Sequence, residues 1–164
     1  MSEIAQSGLT QVATADYEDI PYRHVLWCAG VCHLFMVRSD GSLKWGAYRA
    51  ALPLSLNDGQ LTPNEFVRLR QFTGASVRLM PDPLGEFVAY GSHGPQRRQR
   101  THTGVFRIAR PESHAVIDHG WDMAFVTWSP RGTFCVSAVV GLRSEPLSIK
   151  VLTRVDIERL LEQR

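Results

Sequence analysis

The chain has 164 residues, 44% of them apolar and 21% charged, with a formal net charge of +2. That is ordinary globular composition, long enough for one domain to bury its own core without covalent staples. No apolar run approaches the ~18 residues needed to cross a bilayer, and three cysteines do not make a disulfide framework.

Residues 1–20 are polar and small with no period, and read as a flexible N-terminal arm before a single α+β domain over 21–164. This start lacks the basic and apolar regions of a signal peptide, so a cytoplasmic location is expected. "RHVLWCAGVCHLFMVR" then runs nearly unbroken as apolar sequence into Ser39-Asp40-Gly41-Ser42, and Leu43, Trp45 and Ala47 return in alternation. Asp-Gly between apolar runs signals a hairpin, so residues 24–50 read as strand, turn, strand.

"LTPNEFVRLRQFTG" carries helix signals. Thr62 can cap, Pro63 suits the first turn, Glu65 completes a capping box, and Phe66, Leu69 and Phe72 form an apolar stripe before Gly74. "ASVRLMPDPLGEFVAYGS" reads as a hairpin turning over Pro81–Gly85, and "TGVFRIA" and "SHAVIDHG" as two strands joined through Arg110-Pro111-Glu112. "MAFVTWSPRGTFCVSAVV" is a further hairpin around Ser129-Pro130-Arg131-Gly132. "LSIKVL" is a short strand leading to a last helix, capped by Thr153 with Asp156 in its first turn and Ile157, Leu160 and Leu161 on one stripe. No internal repeat is visible. The expected fold is therefore α+β: a mostly antiparallel, hairpin-connected sheet of seven to nine strands with two helices packed on it. No strand runs through a Gly-rich turn into a helix, so no cofactor site of the dinucleotide or P-loop kind is expected.

Charge is unevenly placed. Residues 1–60 hold six acidic and four basic residues, 61–110 three and eight, and 111–164 seven and six. Of the 18 basic residues only Lys44 and Lys150 are lysine, a bias that genome composition or a need for phosphate-binding forks would equally produce. "GSHGPQRRQRTHTGVFRI" concentrates this charge in Arg97, Arg98, Arg100 and Arg107, with His93 and His102 among them. Arg68 and Arg70, with Arg78, extend the cluster if the fold gathers them on one side. Such a cluster attracts phosphates and releases counterions. It reads as the site of a non-catalytic protein that binds nucleic acid or an acidic protein partner through a loop over 93–107.

Three other chemistries have candidate residues. Cys28, Cys32, His33, His114 and His119 are potential zinc ligands. Along one strand, however, Cys28 and Cys32 would stand about 13 Å apart, and His114 and His119, an odd number apart, would face opposite sides. No metal is therefore expected. "LWCAGVCHL" and "THTGVFRI" resemble the cysteine box and histidine strand of NlpC/P60-type cell-wall peptidases. The resemblance implies a small cysteine hydrolase with Cys28 as nucleophile, His102 as base and His114 orienting it, although the Asp that usually precedes the cysteine is missing. "MPDPLGEF" resembles the start of PD-(D/E)xK nucleases through Asp82 and Glu86, but no Glu-x-Lys follows. The four tryptophans, Trp27, Trp45, Trp121 and Trp128, are expected mostly in the core, with Trp121 exposed. A plain protein-interaction domain with no nucleic-acid role is the remaining reading.

Overall fold

A computed structural model describes residues 13–15, 22–28, 31–39, 44–51, 59–61, 67–73, 76–93, 100–120, 123–140 and 148–163. Among these, β1 (Ala13–Ala15) and β5 (Gly59–Leu61) form a short parallel pair. β2 (Tyr22–Cys28), β3 (Val31–Ser39), β4 (Lys44–Ala51) and β6 (Val67–Thr73) make a first antiparallel sheet. β7 (Ser76–Pro81), β8 (Phe87–His93), β9 (Thr101–Arg107) and β10 (His114–Gly120) make a second, also a meander in chain order. β11 (Met123–Trp128), β12 (Phe134–Val140) and β13 (Ser148–Thr153) make a third, and α1 (Arg154–Glu162) follows directly.

The β7–β10 sheet is the middle layer. Side chains on opposite faces of a strand alternate, and here both faces are covered. Val88, Tyr90 and Phe106 pack with Phe35, Val37, Ala47, Leu69 and Phe72 of the first sheet. Phe87, Ala89 and Val105 pack with Trp128, Cys135 and Leu152 of the third and with Ile157 and Leu161 of α1. Two-sided cover explains why "FVAYGS" is buried at every position, polar Ser92 included. Trp128 stacks on Phe87 with centroids 6.2 Å apart, and its indole N–H donates to the Met80 carbonyl at 2.8 Å. Cys135 is a free, fully buried thiol whose pKa desolvation pushes up to about 12, so it packs as an inert apolar group.

The α+β expectation is corrected to a mostly-β fold of thirteen strands with one C-terminal helix among the described residues. The helix expected over 61–74 is a strand from Val67 to Thr73. Arg70 pairs with Ala47 and Arg68 with Tyr48, so Leu69 is an extra residue bulged between them. A bulge resets the alternation, and Leu69 and Phe72 are buried together although three residues apart. The helical spacing of those apolar residues is thus produced by an irregular strand. The expected capping residues Thr62, Pro63 and Glu65 lie outside the described residues. "RHVLWCAGVCHLFMVR" is also two paired strands rather than one, with Cys28 opposite Val31 and Cys32 opposite Trp27. The 13 Å separation along a single strand therefore does not apply to the cysteines. The 39–50 hairpin is present, with Ser39 pairing Trp45.

A repeat unseen in the sequence emerges at the two best-formed turns. In Asp82–Phe87 the Asp82 amide donates to the Phe87 carbonyl at 2.9 Å and the Gly85 amide to the Asp82 carbonyl at 3.0 Å. In Ser129–Phe134 the equivalent bonds are 2.9 Å from Ser129 to Phe134 and 2.8 Å from Gly132 to Ser129. Asp82 Oδ1 accepts from the Glu86 and Phe87 amides, and Ser129 Oγ accepts from those of Thr133 and Phe134. Pro follows the acceptor in both, and Gly85 and Gly132 stand at φ 74° and 67°, where a Cβ is disfavoured. The β7–β8 and β11–β12 hairpins are two copies of one unit.

Arg154 joins those copies. Its guanidinium donates to the Asp82 and Glu86 carboxylates and, at 3.1 Å, to the Gly132 carbonyl, and it lies over the Phe87 ring at 4.8 Å. Asp82 is 0% exposed and Glu86 largely open, so Asp82 carries the energetic weight. Just before it, Thr153 and Asp156 form a full capping box that starts α1. Replacing Arg154 by Ala strands a buried carboxylate and should cost about 3 kcal/mol. Lys should recover only part, because it cannot fork between both turns. Urea denaturation followed by tryptophan fluorescence measures both; a loss within experimental error for Arg154→Ala would show the clasp to be dispensable.

Candidate anion-binding face

The loop expected over 93–107 is corrected in its second half. Thr101–Arg107 is strand β9, hydrogen-bonded to β8 on one side and β10 on the other. Arg100 is exposed and Arg107 half-buried. They sit at the two ends of a seven-residue strand, so roughly 20 Å of chain separates them. Arg107 lies over the Phe87 ring at 5.2 Å, on the side facing α1. Arg100 and Arg107 therefore do not belong to one loop patch. Arg97 and Arg98 lie outside the described residues.

A different grouping forms around β10. Its register against β9 shifts at Ile117, which lies between the Val116–Gly104 and Asp118–Thr103 pairs. His114 is opposite Phe106 and His119 opposite His102. The shift reverses parity, so His102, His114 and His119 share one face of the sheet, the face that carries Tyr90 and Phe106. The opposite-sides expectation for His114 and His119 is thereby corrected. The His102 ring stands 6.0 Å from His119 and edge-on to Tyr90 at 5.7 Å. Gly104 makes this fit, since a Cβ there would meet the Tyr90 hydroxyl at 2.4 Å. Asp118 anchors the end of the strand. It accepts from the His119 amide at 2.9 Å and from the Ser148 hydroxyl, and pairs with Lys150 at 3.3 Å.

Arginines of two sheets converge beside these histidines. From β6, Arg70 donates to the Pro111 carbonyl at 3.0 Å and so fastens the β9–β10 connection. A cavity of about 460 Å³ lies between Arg68–Gln71 and Pro111-Glu112. A larger one, about 720 Å³, is lined by Arg107, Arg110, Glu112, Ser113 and His114 with Leu161 and Glu162 of α1. Glu112 lines both. Neither Arg68 nor Arg110 forms an ion pair among the described residues. Burial first, then the positive charges of His119, Arg70 and His114, lower the His102 pKa below its usual value.

Asp82 and Glu86, the residues that resembled a nuclease pair, hold the Arg154 clasp and line neither cavity. His102 touches Tyr90 and His119 rather than a thiol among the described residues. Cys28 belongs to β2 in the first sheet; its side chain lies outside the described residues, as do those of Trp27, Trp45 and Trp121. No group of three or more His, Cys, Asp or Glu among the described residues is placed to hold a metal ion. Arg110, His114 and His119 belong to this grouping, and sequence reasoning did not place them with the arginine cluster. Their spacing along the chain pointed only to metal ligation or to a hydrolase's orienting group. No protein-family model matches the chain, and no curated protein matches its sequence.

His102 should titrate below 6.5 in a proton NMR titration, and His119→Ala should move it upward by removing the nearest like charge. Because the folded pKa lies below the unfolded one, the stability contribution is full above 6.5 and is lost as pH falls from the unfolded to the folded value. A His102 that titrates at or above 6.5 would contradict this arrangement.

Proposed function

We propose that the protein is a non-catalytic binding module that takes an anionic partner on the face formed by β6, β10 and the β9–β10 connection. The observation that carries this reading is the convergence of Arg68 and Arg70 from one sheet with Arg110 and His114 of another around adjoining cavities. Arg68 and Arg110 are left without ion pairs among the described residues. Arg forks suit phosphate oxygens and carboxylates alike, so a nucleic-acid backbone and an acidic protein surface both fit this face. His102 gains positive charge as pH falls, so binding strengthens on acidification. Among the described residues no helix is long and apolar enough to cross a membrane, and action in the cytoplasm belongs to the proposal.

The test is a salt titration by fluorescence anisotropy on duplex and single-stranded DNA and RNA. Arg68→Ala with Arg110→Ala should leave stability within about 0.5 kcal/mol per site, since both side chains are exposed and neither forms an ion pair among the described residues. Affinity should fall evenly across sequences, and the log–log salt slope should flatten by about 0.9 for each duplex phosphate that the variant no longer neutralises. The Arg97→Ala, Arg98→Ala, Arg100→Ala triple measures the share of the preceding segment. Wild-type protein that binds none of these polymers at low salt ends the nucleic-acid reading. Binding to an acidic polypeptide instead would assign the face to a protein partner.

A further inference from the structure

The third sheet presents a face that no described residue covers. Its inward side chains, Ala124, Trp128, Cys135, Ser137, Val139 and Leu152, are buried. The register then places Met123, Phe125 and Thr127 of β11, Phe134, Val136, Ala138 and Val140 of β12, and Ile149, Val151 and Thr153 of β13 on the other side. None of these ten is charged and eight are apolar. Ile149 is 58% and Val151 63% exposed, with Met123, Phe125 and Phe134 also exposed. A scattered exposed apolar residue is ordinary, whereas an uncharged face across three adjacent strands marks an interaction surface.

We infer that this face is a symmetric dimer interface with a second copy of the chain. Three observations select that occupant. First, the face carries no charge for a charged partner to answer, whereas a second copy supplies an equally apolar surface by symmetry. Second, the exposed side chains offer on the order of 500 Å² per copy, so two copies bury about 1,000 Å², the size at which a specific interface becomes tenable. Third, among the described residues head-to-tail stacking onto the far end of the molecule finds no exposed apolar seat. There, on the outer face of the first sheet, Met36, Tyr48 and Ala50 are already buried. Among the described residues, the surface that matches it in extent is its own copy. The relief suits this pairing: half-buried Val136 and Ala138 form a valley on β12 beside a ridge of the exposed Ile149 and Val151 of β13. A two-fold axis running between those strands seats each ridge in the other copy's valley, as sheets pack face to face within the chain.

Sedimentation velocity at micromolar to high-micromolar protein tests this. Wild type should sediment at twice the chain mass. Val151→Glu and Ile149→Lys should each weaken dimerisation by about 100-fold or more, because symmetry buries the unpaired charge twice. Val67→Glu, an equally exposed change on the first sheet, should leave the dimer intact. Circular dichroism checks that the variants fold. Hydrogen exchange of wild type should show protection of residues 123–127, 134–140 and 149–153 that grows with concentration. A wild type that stays monomeric overturns the proposal. So does a dimer that both charged variants leave unchanged, or one without concentration-dependent protection in those strands.

Discussion

A carboxylate with no access to water is the constraint around which this molecule is organised. Burying an ionised Asp costs several kcal/mol unless every oxygen is answered. Asp82 is answered by two amides of its own turn and by Arg154, which comes from the far end of the chain. The turn therefore cannot be satisfied by its own sheet. It requires α1 to dock, and α1 in turn buries Ile157 and Leu161 against the middle sheet. The second copy of the turn has Ser129 at the same position, a neutral acceptor that needs no counter-charge. It contributes instead the Gly132 carbonyl to the same guanidinium. One arginine thus ties the two repeated units, and the difference between Asp and Ser sets which of them depends on it.

Much of this fold was legible because hairpins announce themselves locally. Asp-Pro-Leu-Gly and Ser-Pro-Arg-Gly place proline and glycine where the turn demands them, and Thr153 with Asp156 states the helix start outright. What failed had a common cause. Bulges at Leu69 and Ile117 insert one residue into the count, and each changes the parity on which strand reading rests. At Leu69 the inserted residue made a strand look helical. At Ile117 it moved His119 to the face of His114, so a cluster looked like two unrelated residues. The repeat was hidden for a different reason. Its two copies share only a proline, a glycine and a phenylalanine at fixed offsets, after chemically unlike acceptors, Asp82 and Ser129. The backbone hydrogen bonds are what make them equivalent.

The arginines grouped in the sequence are dispersed by the fold, and the reason is again geometric. Positive charge counted along the chain is spread by a strand over two faces and about 20 Å of length. Arg107 went to the α1 side, over Phe87, while Arg70 came across from another sheet to the Pro111 carbonyl. Tertiary convergence, not sequence density, decides where a field is strong. The cations that matter most are those whose neighbours do not neutralise them. Arg68 and Arg110 meet that condition among the described residues, while Arg154 is fully engaged.

The two outward-facing surfaces divide the molecule by chemistry. The β6–β10 side collects guanidinium and imidazole groups around cavities, and the third sheet turns an uncharged face away from them. The middle sheet lies between β6 and the third sheet, and its buried strands give both a close-packed support. In the proposed dimer the arginines of each copy stand apart from the paired apolar faces, so like charges are not forced together. A dimer of this kind would present two basic surfaces to one extended polyanion, and linked contacts on a single ligand strengthen binding without any new interaction within either copy. Association through an uncharged surface is not weakened by electrostatic screening, whereas capture of a polyanion is. The two surfaces can therefore be separated by ionic strength alone.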